Sequence, residues 1–267
     1  MTNYRVDTLE LGTFTTESGE TINNLKLRYE HVGYKGQPLV VVCHALTGNH
    51  LTYGTDEKHG WWREIIDGGY IPRHDYQFLT FNVIGSPFGS SSKLNDPNFP
   101  QHLTLRDIVK AIEKGIKALD FDKINILIGA SLGGMQAMEL LYNNQFQIDK
   151  AIILAATGKT SSYSRAFNEI ARQAIHLGGK EGLSIARQLG FLTYRSSKSY
   201  DQRFTPDEVV TYQQYQGNKF KKNFDLQCYL TLLDVLDSHN IDRGRDDVDE
   251  VYQSLDTKVL TMGFIDC

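Results

Sequence analysis

A serine hydroxyl is a poor nucleophile until a base takes its proton and donors stabilise the oxyanion that its attack creates. Ser131 stands in Gly129-Ala130-Ser131-Leu132-Gly133, between an apolar run ending at Ala130 and a helical stretch from Leu132 to Leu141. Such spacing places the serine at a tight strand-to-helix turn. Glycines at 129 and 133 leave room that a Cβ would fill, and the helix start supplies free N–H groups at a positive dipole end. The N–H of Leu132 is the expected first oxyanion donor. A second is expected from Cys43-His44-Ala45-Leu46-Thr47-Gly48, through the N–H of Ala45 or Leu46. The Gly-x-Ser-x-Gly string by itself also occurs as a plain helix start; the strand before it, the helix after it, Gly133-Gly134 and the loop about 85 residues earlier give it chemical meaning.

Other polar residues have ordinary readings. Arg187, in Ile185-Ala186-Arg187-Gln188-Leu189, reads as a cation snorkelling over apolar neighbours on a helix, and Tyr194 as a core aromatic with its hydroxyl satisfied. A general base should lie in a loop after a late strand, following the acid. None of the eight histidines does so; His239 alone lies between the helical region and the last strand, ahead of the acid position. No His or Cys pair has metal-ligand spacing, so no metal is expected.

The elements that must position Ser131 follow from patterning. Leu9 to Phe14 and Leu25 to His31, around a turn at Ser18-Gly19-Glu20, read as antiparallel edge strands. Leu39 to Cys43 is a continuous apolar run of the kind covered on both faces, and the pattern recurs at Phe78 to Phe81, Ile124 to Ile128, Ala151 to Ala155 and Val259 to Met262. Helical stretches between them, such as Leu105 to Leu119 behind Thr104, make right-handed βαβ units. From Thr160 to Arg245 strands disappear. Arg165 to Leu177 and Glu181 to Leu192 read as helices, Asp207 to Gly217 as mixed, and Phe224 to Leu236 as apolar-rich. The expected architecture is an α/β-hydrolase fold: a mostly parallel sheet with antiparallel N-terminal strands and an inserted helical lid. Its expected parts are a core over 1–159, a lid over 160–245 and a return to the core over 246–267.

Composition narrows the function. Of 267 residues, 40% are hydrophobic and 22% charged, which suits a globular protein. A net charge of −4 with scattered Lys and Arg gives no footprint for nucleic acid, so a small-molecule substrate is expected. The apolar runs fall far short of the roughly 20 residues needed to cross a bilayer. Three cysteines without CxxC spacing, and no signal-peptide pattern at Met1-Thr2-Asn3-Tyr4-Arg5, point to the cytoplasm.

Several ordered blocks resemble the homoserine O-acetyltransferases, α/β-hydrolase-fold enzymes of methionine biosynthesis. They are Val42 to Gly48, Gly60-Trp61-Trp62, Asn82-Val83-Ile84-Gly85, Gly129 to Gln136, Leu192 to Arg195, Tyr215 to Phe220, Phe224-Asp225 and Ser238 to Arg245. The resemblance implies a ping-pong transfer in which acetyl-CoA, a co-substrate rather than a bound cofactor, acylates Ser131 and L-homoserine then takes the acetyl group. It further implies that Leu46 and Leu132 give the oxyanion N–H groups, that Arg187 pairs with the homoserine carboxylate, that Tyr194 lines the tunnel, and that the lid forms a homodimer. Succinyl-CoA as donor, water as acceptor in an esterase, and an inactive fragment are the alternatives. Aligned through Val259 to Gly263, the family's acid falls at Cys267, with Asp266 adjacent, and its histidine beyond. The expectation is therefore a truncated or frameshifted chain, or a fragment, lacking two triad members.

Overall fold

The computed structural model describes residues 3–264, so Asp266 and Cys267 lie outside the described residues. In chain order the elements are β1 (Tyr4–Glu10), β2 (Phe14–Thr15), β3 (Thr21–Ile22), β4 (Lys26–Val32), β5 (Leu39–Cys43), α1 (Arg63–Asp67), β6 (Gln77–Phe81), α2 (Leu105–Ala118), β7 (Lys123–Ala130), α3 (Leu132–Asn143), β8 (Gln147–Leu154), α4 (Ser162–Thr193), α5 (Ser197–Arg203), α6 (Pro206–Asn223), α7 (Leu226–Ser238), α8 (Val248–Gln253) and β9 (Lys258–Met262). Seven strands form one sheet in the order β1-β4-β6-β5-β7-β8-β9, and β2 and β3 form a separate ribbon. Strands β6, β5, β7, β8 and β9 run parallel, whereas β1 and β4 are antiparallel to their neighbours.

Alternation along β5 explains its unbroken apolar run. Leu39, Val41 and Cys43 join the larger core, under α2 and α3, while Val40 and Val42 pack on the other face with Val32, Tyr53, Ile66 and Phe78. Helix α2 opens with a capping box, in which Thr104 accepts from the N–H of Asp107 and the Asp107 side chain accepts from the N–H of Thr104. It lies close on the sheet: a Cβ at Gly115 would stand 2.6 Å from Leu27 and 2.8 Å from Phe81.

The N-terminal strands differ from the expectation. The first strand is Tyr4–Glu10 rather than Leu9 to Phe14, because Gly12 at φ 66° turns the chain out of the sheet and leaves Phe14 to the small ribbon. Of this N-terminal pair β1 alone is an edge strand; β4 lies between β1 and β6. At the opposite edge β9 is exposed along its length, not covered as its apolar composition predicts, since no helix among the described residues packs over it.

Between β8 and β9 the chain is helical. Helix α4 breaks at Gly179 (φ 53°, ψ −122°) and doubles back, so a Cβ at Gly182 would overlap the carbonyl of Ala174. The stretch from Asp207 to Gly217, read as mixed, belongs to α6; its start is marked by a capping box of Thr205 and Glu208 with Pro206 in the first turn. Among the described residues no helix is long and apolar enough to cross a membrane.

Candidate active site

Ser131 stands between the end of β7 and the start of α3, with φ 55° and ψ −124°. A side chain seldom adopts this conformation, which glycine favours at the first central position of type II′ turns. Two carbonyl contacts hold it. The N–H of Ser131 donates to Leu154 O at the end of β8 (2.9 Å), and Ser131 O accepts from Met135 N (3.0 Å), the first bond of α3. The flanking glycines are sterically required. A Cβ at Gly129 would overlap Gly133 O, one at Gly133 would overlap Cys43 O, and one at Gly134 would lie 2.6 Å from Ala156 Cβ. The elbow is thereby pressed against the end of β5, and the serine side chain is left exposed.

The loop after β5 is a tight turn in which Gly48 N donates to Ala45 O (2.9 Å). Leu46 is its first central residue, so its N–H takes no part in closing the turn. Leu132, as the first residue of α3, has no carbonyl one turn back within the helix to receive its own N–H. His44 is fully buried; its Nδ1–H donates to Ala45 O (2.8 Å) and its Nε2 accepts from Val83 N–H (3.1 Å). Those partners fix one neutral tautomer, and burial pulls its pKa down to about 4. His50, further along the same loop, is lowered to about 3 by burial and then by the charges of Arg28, His44 and Lys58.

The lid reaches this loop through Arg187, whose Nη1 donates to Thr47 Oγ1 at 3.4 Å. Its guanidinium lies over the rings of Phe220 (4.8 Å), Phe191 (4.5 Å) and, more distantly, Tyr194 (6.0 Å). Among the described residues it has no carboxylate partner. The snorkelling reading is thus too weak: the charge is caged by aromatic faces beside the loop after β5. Tyr194 is half exposed rather than a core aromatic. His239, the late histidine, is buried with its Nε2–H on Thr157 O (2.8 Å), where it fastens the end of α7 to the chain leaving β8. No described side chain hydrogen-bonds Ser131 Oγ.

Comparison with known proteins places these features. Residues 38–177 match a family model described as the alpha/beta hydrolase fold. A homoserine O-acetyltransferase of Carboxydothermus hydrogenoformans is 31% identical over 93% of the chain and 78% of the relative, and one of Thermus thermophilus is 32% identical over 91% and 73%. The crystal structure of homoserine O-acetyltransferase from Staphylococcus aureus is 84% identical, with a TM-score of 0.96 over 99% of the chain and 81% of that structure. The chain belongs to the homoserine O-acetyltransferase family. Esterase E22, 17% identical with a TM-score of 0.79, shares the fold.

Within a homoserine O-acetyltransferase framework, the polar groups that sequence reading passed over are those behind the elbow. Gln136, fully buried on α3, donates from Nε2 to His44 O (3.1 Å). Glu30 on β4, also buried, accepts from the backbone N–H groups of Thr52, Tyr53 and Gly54 (2.7 to 2.8 Å) and so shapes the chain beyond the turn that follows β5. A period-two strand pattern marks Glu30 only as a polar residue among apolar neighbours. Glu139 on α3 pairs with Arg245 (2.7 Å) and Arg106 (3.5 Å), and Arg106 also donates to Arg243 O, tying the Ser238 to Arg245 block to α2 and α3.

Proposed function

We propose that the chain carries the acyl-accepting serine and the acceptor site of an enzyme that moves an acetyl group from acetyl-CoA to the side-chain hydroxyl of L-homoserine through an acetyl-Ser131 intermediate, no base for Ser131 being found among the described residues. Ser131 Oγ gives up its proton as it attacks the thioester carbon, the C–S bond breaks, and CoA leaves as the thiol carrying that proton. The homoserine hydroxyl then attacks the Ser131 ester, O-acetylhomoserine leaves, and Oγ regains its proton. The N–H groups of Leu46 and Leu132 hold the oxyanion in both halves, where losing one donor costs roughly 3 to 4 kcal/mol. Acetyl-CoA acts as a co-substrate rather than as a resident cofactor.

The observation that carries the reading is Arg187. A cation with no carboxylate partner among the described residues, caged by Phe191 and Phe220 and touching Thr47 on the oxyanion loop, suits a bidentate bond to an amino-acid carboxylate. Tyr194, beside it, lines the approach. A homodimer through the lid accompanies this reading, supported by the exposed side chains of Tyr163, Leu177, Val210 and Tyr215 on α4 and α6.

The test is incubation of protein of verified mass with acetyl-CoA and homoserine, following free CoA, O-acetylhomoserine and acetylated Ser131 by mass spectrometry. Parallel double-reciprocal lines and a preference over succinyl-CoA at equal concentration are expected. Ester hydrolysis indifferent to homoserine, or no acetylated Ser131, would overturn the proposal.

A further inference from the structure

Two N–H groups form an oxyanion hole only if they converge on one point, and in this chain they come from separate elements. Leu132 begins α3, and Leu46 lies in the turn after β5. Close packing alone brings the two together, since Gly133 is pressed onto Cys43 O and has His44 O close beside it. Packing does not orient a peptide plane, however. Hydrogen bonds do.

The Ala45–Leu46 peptide is oriented by its carbonyl. Ala45 O accepts from Gly48 N (2.9 Å) and from His44 Nδ1 (2.8 Å). In a trans peptide the C=O and N–H point in opposite directions from one rigid plane. Two donors gripping Ala45 O therefore aim the N–H of Leu46 away from the turn interior. His44 can grip only because its other nitrogen is anchored: Nε2 accepts from Val83 N–H, on the loop after β6. The carbonyl of His44 itself is held by Gln136 Nε2 (3.1 Å), which stands one helical turn beyond Leu132 on α3.

We infer that His44 and Gln136 are positioning residues that join the oxyanion loop to the nucleophile elbow and set the aim of the Leu46 N–H relative to that of Leu132. The inference rests on the proposed use of those two N–H groups as oxyanion donors. Neither side chain touches the reacting atoms; the Gln136 amide ties loop to helix, and the His44 ring ties the Ala45–Leu46 peptide to the loop after β6. Replacing the amide by an apolar chain of similar shape frees His44 O without opening a large cavity, so the fold persists while the donors drift.

The test is the rate of Ser131 acylation by 4-nitrophenyl acetate, which needs the oxyanion hole but no homoserine. Gln136→Met is expected to lower the acylation rate constant on the order of tenfold to a hundredfold, because displacement by about 1 Å costs that much, with KM little changed. His44→Phe loses both ring bonds and falls further; His44→Asn, which keeps a donor toward Ala45 O, recovers part of the loss. Nitrogen-15 NMR of the unaltered protein supplies a readout independent of turnover and of variant folding: the His44 ring is expected as the Nδ1–H neutral tautomer at pH 5.5. Wild-type acylation in folded Gln136→Met, or an Nε2–H or charged ring, would refute the inference. Ser131→Ala separates the two claims. If it leaves acylation intact, the reading of Ser131 falls and this one with it; if it abolishes acylation while Gln136→Met does not lower it, only the positioning role is lost.

Discussion

Acidification should weaken this protein through two histidines, by an amount that the structure allows to be worked out. An unfolded chain binds a proton on histidine near pH 6.5, whereas burial holds His44 at about 4 and His50 at about 3. Between those limits the unfolded state carries protons that the native state refuses, so stability falls as pH falls; above 6.5 the contribution is fully present. Each group costs roughly 1.4 kcal/mol per pH unit inside the window, or about 2 kcal/mol on going from pH 7 to pH 5. Both histidines are almost wholly buried, so solvent screening does little to reduce the figure. Burial holds the carboxyls of Glu30, Asp107 and Glu113 above their usual range, and these gain protons in the native state first, which opposes the trend. The total curve therefore mixes signs, and a variant is needed to isolate one group. Urea unfolding of wild type and His50→Phe at pH 7, 6 and 5 provides it. The difference between the two proteins should move by about 2 kcal/mol in favour of the variant on acidification. Parallel curves would show that His50 is protonated, or solvated, in the native state and would refute the reasoning.

Other perturbations probe the site more directly. Gly133→Ala must push α3 off the end of β5 by about 1 Å, so Ser131 acylation should drop at least a hundredfold, measured by CoA release and by labelling of Ser131. Arg187→Ala removes a charge-assisted bond worth roughly 1.5 to 3 kcal/mol, which predicts a homoserine KM raised about tenfold to a hundredfold while acetylation of Ser131 by acetyl-CoA is unchanged. A variant that loses the first half-reaction instead would place Arg187 on the acyl donor. Glu139→Ala leaves Arg245 without its carboxylate and Arg106 with Glu17 as its remaining one, and should cost up to about 3 kcal/mol in chemical denaturation.

What the sequence made legible was whatever rests on local rules. The elbow at Ser131 is written in glycines whose necessity is steric, and Thr104 announces the start of α2. Apolar runs gave the central strands because burial on both faces demands them. The edges were harder to read. The place where β1 meets β4 depends on pairing partners far apart in sequence, and Gly12, one residue at positive φ, shifted the strand boundary. The rich polar composition of α6 hid a helix that the structure shows capped by Thr205 and Glu208. Arg187 looked solvated because nothing in its own helix shows Phe220 or Thr47 folding back over it, and the roles of His44, Gln136 and Glu30 consist of hydrogen bonds to backbone, which leave no trace in residue type or spacing.

The backbone angles of Ser131 recur at Gly179, where α4 reverses. In the lid, where only a change of direction is needed, the residue is glycine. At the elbow, where a hydroxyl must be presented, a Cβ is accepted at a conformational cost of about 1 to 3 kcal/mol. Selection for heat resistance alone would therefore reward Ser131→Gly, raising the melting temperature while removing the proposed nucleophile. Attempts to harden this protein by screening for survival on heating need an activity filter at that position above all others, since there durability and turnover pull the same atom in opposite directions.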